Sequence, residues 1–291
     1  MSSRCGNGGR VGACFGGLFL VIALCLEAQN SRLNLQRESV SPFQIFDNVY
    51  YVGTSWVSCY AVTTSEGVVL IDALYGHFPR LAVENLEALG LGGRKIAYVL
   101  VTHGHWDHAG GAAYFQDEVG AKVGMTAADW DLAIRSATQS RSGFFTGGVP
   151  KRELVLSDEQ VLVVGETTFR CYVTPGHTKG VLSLEFPARD GKSSHRAFVF
   201  GGVGLNFSGV GRTESYLESV ARIRILAKQE PPISVFLSNH PAVGMILDHQ
   251  ARLRQRTHEG KHPFVNASGF ITHLDGFQRA AEEKLKQERG Q

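Results

Sequence analysis

Apolar and polar positions alternate along the chain after residue 48 in a way that predicts short strands interleaved with amphipathic helices. Asn48–Val52, Cys59–Thr63 and Val68–Ala73 are β-branched or aromatic runs bounded by Gly, Ser and Glu-Gly turns, as strands require. Between Pro79 and Leu89, Leu81, Leu86 and Leu89 recur at helical spacing, and Gly90 supplies the stop. Ile96–Val101 is a nearly continuous apolar run, the mark of a strand covered on both faces. Thr126–Ala137 reads as a helix with Thr126 as its N-cap, and Ser142–Gly148 as a loop carrying two aromatics. A second set of strands follows at Gln160–Val164, Thr168–Thr174, Val181–Phe186 and Ala197–Gly201. Helical spacing returns over Thr213–Lys228, Pro231-Pro232 breaks the chain, and Ile233–Leu237 reads as another strand. Phe277–Arg289 is an amphipathic, mixed-charge helix. The order implies an α/β chain with two similar halves, two sheets packed together and helices outside. No linker is long enough to split it into domains.

The first residues break this pattern. Arg4 and Arg10 lie in a Gly-rich head, and an apolar stretch runs from Val11 to Leu26 before Glu27, Ala28 and Gln29. A basic head, a short apolar core and a small residue before a polar one describe a secretory signal peptide. The run is shorter than the ~20 residues a spanning helix needs, although an uncleaved anchor has similar flanks. The expected division is therefore a signal peptide over 1–28 and one domain over 29–291, with a periplasmic or secreted location. Cys5, Cys14 and Cys25 fall in the leader, which leaves Cys59 and Cys171 as either a disulfide or two buried thiols.

Composition narrows the class. With 43% hydrophobic and 19% charged residues the chain can bury a substantial core. A formal net charge of +2 gives no electrostatic grip on nucleic acid or on an anionic membrane. The expected partner is a small-molecule substrate, with no nucleic acid and no stable membrane insertion once the leader is removed.

The candidate chemistry sits just past the predicted strands. After Ile96–Val101 comes Thr102-His103-Gly104-His105-Trp106-Asp107-His108-Ala109-Gly110-Gly111, with three His and one Asp within six positions. Each neutral imidazole offers one nitrogen to a metal, and Asp107 offers a hard oxygen. In an extended segment residues i and i+2 project the same way, so His103 and His105 can grip one ion. Asp107 and His108, at the start of the next helix, can address a neighbouring one. His177 follows the strand ending at Thr174, and His240 follows Ile233–Leu237, so both reach the same rim. His77, His195, His249, His258, His262 and His273 lack such a setting and read as incidental, with His262 and His273 at most lining the cleft.

His103-Gly-His105-Trp-Asp107-His108, with Gly176-His177-Thr178 and Asn239-His240-Pro241, resembles the metallo-β-lactamase superfamily. The resemblance spans roughly Val49 to His240 and implies a four-layer αββα sandwich with two Zn2+ per chain. It maps the first site onto His103, His105 and His177, and the second onto Asp107, His108 and His240. Leu70-Ile71-Asp72 resembles the family's strand end, where Asp72 would orient the metal loop rather than bind zinc. Phe200-Gly201-Gly202-Val203-Gly204-Leu205 departs from the family members that carry a bridging Asp, as in glyoxalase II, or a Cys there. The remaining ligand set is most like subclass B3 metallo-β-lactamases. That implies an exported enzyme of antibiotic resistance, with a zinc-bound hydroxide opening a β-lactam amide and Asp107 orienting it and moving its proton. The Ser residues usual near Val203–Leu205 in B3 enzymes are missing, Asn206 or Ser208 could stand in, and Lys179 replaces a common Pro. Trp56, Phe144 and Phe145 could form an apolar lip for substrate or pack back onto the fold. The alternative function is a lactonase, esterase or thioesterase on the same scaffold.

Overall fold

The computed structural model describes Met1, residues 37–257 and residues 260–290. Two compact units result, Met1–Glu38 and Ser39–Gln291. Of the first only Met1, Arg37 and Glu38 are described, so the expected leader over 1–28 and its boundary lie outside the described residues, as does His258.

Ser39–Gln291 is built on two sheets. The first contains β1 (Phe43–Phe46), β2 (Val49–Tyr51), β3 (Tyr60–Thr64), β4 (Gly67–Ile71), β5 (Ile96–Leu100), β6 (Lys122–Thr126) and β7 (Leu154–Leu156), side by side in chain order. β1 to β4 form an antiparallel meander, whereas β4, β5, β6 and β7 run parallel. The second sheet contains β8 (Val161–Val164), β9 (Thr167–Val173), β10 (Leu182–Asp190), β11 (Ser193–Phe200) and β12 (Ile233–Ser238), in the spatial order β12-β11-β10-β9-β8. Only β11 and β12 pair in parallel there.

Period-two alternation sends side chains of one strand to two different cores. Ala197 and Val199 of β11 face the first sheet, with Tyr51, Val62, Val69, Phe169, Leu184 and Leu237. Phe198 and Phe200 of the same strand face outward and pack with Tyr216, Val220, Phe236 and Phe270. Those outer partners come partly from α5 (Val210–Ala227) and α7 (Ala267–Arg289), which cover that side. On the other side lie α1 (Phe78–Ala88), the short α2 (Trp106–Ala109) and α3 (Ala112–Asp117), and α4 (Ala127–Gln139), whose Trp130 Nε1 donates to the Leu154 carbonyl at 2.9 Å. α6 (Ile246–Arg254) completes the chain order. The result is one αββα domain, as expected. Among the described residues no helix is long and apolar enough to cross a membrane.

Four segments escape the hydrophobic pattern. β1, β6 and β7 have five residues or fewer, and Gly124 interrupts the alternation of β6. α6 buries only Ile246 and Gln250 and is otherwise polar. The last helix begins at Ala267, ten residues before the expected Phe277: Asn266 caps it by accepting from the Gly269 amide at 2.9 Å, while Gly269 and Gly276 weaken the helical pattern. Thr126 caps α4 as expected, accepting from the Asp129 amide. Cys59 and Cys171 are both buried free thiols, and burial pushes Cys171 up to about 11.

His262 and His273 do not line the cleft. His273 packs on Phe236 at 4.9 Å between centroids, and His262 is buried, stacked on Phe46 at 4.1 Å. His262 Nε2 donates to the Ile45 carbonyl at 2.9 Å, and its Nδ1 accepts from the Phe264 amide at 3.3 Å, a pairing only the neutral ring can make. Burial lowers its pKa; the Ile45 carbonyl opposes this and Arg256 reinforces it. The unfolded chain therefore takes up this proton first, near the ordinary value of about 6.5. The stability the neutral ring contributes is complete above that pH and declines as pH falls below it. Denaturant unfolding at pH 7 and pH 5 should show a smaller acid-induced loss in His262→Gln than in the parent; equal losses would show that His262 does not carry this dependence.

Candidate metal centre

The strands bring their C-terminal ends to one rim. β9, β11 and β12 point the same way, and hydrogen bonds tie their loops to the first sheet. The Leu182 amide donates to the Thr102 carbonyl at 2.7 Å, the Ser58 amide to the Asn239 carbonyl at 2.9 Å, and the Tyr60 hydroxyl to the Ser238 carbonyl at 2.7 Å. His103, His105, Asp107, His108, His177 and His240 all reach this rim.

Asp72 sets the first loop. It follows β4 in a left-handed conformation, φ 72°, which is costly for a non-glycine residue unless its surroundings hold it. Its Oδ1 accepts from the Thr102 amide at 2.7 Å. Its Oδ2 accepts from the Thr102 hydroxyl at 3.1 Å and from His108 Nδ1 at 2.8 Å. Gly104 lies against α4, where a Cβ would come within 2.3 Å of the Asp129 carbonyl oxygen, so only glycine fits between the two His.

Five imidazoles are fixed in orientation, and the atoms holding them identify the nitrogen each presents. His103 Nδ1 lies 3.2 Å from the Thr102 hydroxyl, His177 Nδ1 3.0 Å from the Gly204 carbonyl, and His240 Nδ1 2.7 Å from the Trp56 carbonyl. With His108 Nδ1 on Asp72, these four rings present Nε2. His105 differs, since its Nδ1 faces His177 Nε2 at 3.0 Å. One nitrogen from each of His103, His105 and His177 falls within 4.8 Å of the others. His108 Nε2, His240 Nε2 and Asp107 Oδ2 form a second triangle with sides of 3.3, 3.3 and 3.7 Å. A tetrahedral ion about 2.0–2.1 Å from each ligand atom spaces those atoms roughly 3.3 Å apart. His103 Nε2 is buried without a hydrogen-bond partner. Leaving such a group unpaired costs about 1–3 kcal/mol, a cost that a coordinated cation removes. The donor set therefore fits a metal, and its nitrogen-rich chemistry suits zinc.

The protonation states of the first set agree. Burial, reinforced by neighbouring imidazoles, holds His103 well below its ordinary range. Burial also lowers His105, and with His105 alongside it takes His177 down to about 3. These are neutral rings with lone pairs to give. Burial would lower His108 too, but Asp107 and Asp72 on either side push it up to about 10. Burial would raise Asp107, yet His108 and His240 hold it well below the usual carboxylate range.

Asp129 is the residue that sequence reasoning missed. Buried at the start of α4, it accepts from the Gly104 amide at 3.0 Å through Oδ1 and from the Thr178 hydroxyl at 2.9 Å through Oδ2. It thus joins the loop of His103 and His105 to that of His177. The Thr126-x-x-Asp129 pattern signals a helix start, but nothing local announces the two loops it spans. Arg212, also missed, donates to the Gly176 and His177 carbonyls.

The ligands open into a cleft of about 600 Å³ lined also by Trp56, Trp106 and Asn206. Of the expected substrate contacts, Trp56 and Asn206 reach it, whereas Phe144, Phe145 and Ser208 are not among its lining residues. Phe144 instead stacks on Trp106 with centroids 4.1 Å apart. Gly201 and Gly202 are packed against the Leu182 carbonyl and the Val181 and His177 side chains, and no carboxylate reaches the metal loops from that segment.

Outer hydrogen bonds of this kind govern metal affinity by about 10- to 100-fold. Asp129→Ala should weaken zinc binding about tenfold at the His103–His105–His177 set, and Asp72→Ala by a similar factor at the set containing His108. Competition against a chromophoric chelator reads both. Unchanged affinity in either variant would show that its carboxylate does not position ligands.

Residues 53–191 match the family model of the metallo-beta-lactamase superfamily. A hydroxyacylglutathione hydrolase of Cereibacter sphaeroides is 28% identical over 155 residues, 53% of this chain and 52% of its own length. The chain spans about half the length of the curated relatives it matches. Whole-fold similarity is broader. BJP-1, a subclass B3 metallo-beta-lactamase of Bradyrhizobium japonicum, is 25% identical, with a TM-score of 0.75 over 87% of this chain and 97% of that one. A Cronobacter sakazakii metallo-beta-lactamase with a HARLDQ motif is 27% identical, with a TM-score of 0.73 over 88% and 98%. With its rim of five imidazoles and a carboxylate, the chain carries a metallo-beta-lactamase superfamily domain over residues 53–191, with subclass B3 enzymes among its structural neighbours.

Proposed function

We propose that this chain is a two-zinc hydrolase of the B3 type that opens a β-lactam amide. The observation carrying this reading is the pair of converging ligand sets, His103–His105–His177 and Asp107–His108–His240, with no carboxylate from Gly201–Leu205 between them. Zinc held by these residues would supply Lewis acidity and lower the pKa of water to about 7. The chain's own part is placement. Asp107, ionised and only partly exposed, is the carboxylate positioned to accept a proton from attacking water and pass it to the leaving nitrogen. Asn206 offers an amide on the His177 side of the cleft to a polar substituent. The leader-like pattern of residues 1–28 favours export to the periplasm or beyond, where such an enzyme would confer antibiotic resistance.

A second reading is a lactone, ester or thioester substrate on the same site. The curated relatives named hydroxyacylglutathione hydrolases favour it, as do the apolar and Gly residues at Val203–Leu205.

Hydrolysis of a carbapenem and a cephalosporin by the zinc-loaded protein should be abolished by a chelator, and His105→Ala should lower kcat/KM by 100-fold or more, on the order expected for losing a metal ligand. Absence of β-lactam turnover with zinc confirmed in the protein would overturn the lactamase reading. Turnover of a lactone or thioester in the same preparation would establish the second.

A further inference from the structure

Trp106 stands inside the metal loop, between His105 and Asp107, at a position that metal binding leaves free to vary in chemistry. Its ring lines the cleft beside that of Trp56, with centroids 5.5 Å apart. Behind this pair lies a packed aromatic stack. Phe144 lies nearly parallel to Trp106, and Tyr75, itself buried, turns its edge toward Trp56, Trp106 and Phe144 at 5.5, 5.0 and 6.2 Å. Phe78 supports Tyr75 from the far side at 5.1 Å. Edge-to-face and offset arrangements of this kind fix ring orientation.

The wall is also tied to the metal site. Trp56 sits on a tight turn in which the Thr54 hydroxyl oxygen accepts from the amides of Trp56 at 3.2 Å and Val57 at 2.9 Å. The Trp56 carbonyl accepts from His240 Nδ1, so the residue that presents the indole also orients a candidate ligand. Trp56 nonetheless leaves 43% of its surface open. A rigid apolar surface facing water gains free energy only when something apolar covers it. Among the described residues lining the cleft there is no Lys or Arg.

We propose that Trp56 and Trp106 form a subsite for a flat apolar group of the substrate, an aryl ring above all, beside the candidate ligands His105 and His240. The inference rests on the metal-hydrolase reading for the polar end of the ligand, and deepens it by naming the substituent. Trp106 is then a specificity-determining residue, with Phe144 and Tyr75 as its support rather than a lip.

The test is binding rather than turnover. Phenylacetate and acetate share a carboxylate and differ by one ring. Calorimetric titration of the zinc-loaded protein should show phenylacetate binding roughly tenfold or more tightly, a ratio consistent with covering one aromatic ring. The same titration should quench tryptophan fluorescence, since only Trp130 of the three Trp is fully buried. Trp106→Leu should cut the preference to about threefold or less, and Trp106→Phe, which keeps a flat ring, should retain most of it. Zinc content is measured alongside, and Trp56→Leu gives the same answer without touching the metal loop. Equal affinity for the two acids in the parent, or a preference unchanged in both Leu variants, would overturn the proposal. A preference that persists in a protein without β-lactam turnover would sink the lactamase reading and leave the subsite standing.

Discussion

The buried carboxylate of Asp72 organises the rim. It closes β4 in a left-handed conformation, accepts from the Thr102 amide just beyond β5, and holds His108 by Nδ1. A single buried anion thus joins two neighbouring parallel strands to a candidate ligand of the second set. Such an anion is tolerated only because each oxygen is hydrogen-bonded. Asp129 repeats the device from the helix side, binding the Gly104 amide and the Thr178 hydroxyl, and so fixes the first set. Two buried carboxylates outside both candidate ligand sets therefore hold those sets in place. The sheets supply the convergence and these residues the orientation.

Much of this was legible because ligand chemistry is local. His103, His105, Asp107 and His108 fall within six positions, and their spacing carries its meaning without knowledge of the fold. His177 and His240 were legible one step removed, since each follows an apolar strand whose end must lie on a rim. The sandwich follows from strands that divide their alternate side chains between two cores, as β11 does with Ala197 and Val199 against Phe198 and Phe200.

What was not legible depends on contacts between distant segments. Asp129 resembles any acidic residue in the first turn of a helix until α4 is placed against both loops. Trp106 looks like a spacer in the metal motif until Phe144, 38 positions later, stacks on it. The sequence leaves Phe144 as either a lip or a residue packed back onto the fold, and its stacking on Trp106 selects the second. His262 reads as incidental in the sequence, at most lining the cleft, whereas stacking on Phe46 and a bond to the Ile45 carbonyl seat it within the core.

Six side chains arranged as two ligand sets make a claim about stoichiometry before any claim about substrate. Equilibrium dialysis against zinc followed by elemental analysis counts ions per chain directly. Two ions per chain are expected, falling to one in His240→Ala because that change removes a corner of the second triangle and leaves His103, His105 and His177 intact. A single ion in the parent protein, or two retained in His240→Ala, would contradict the account.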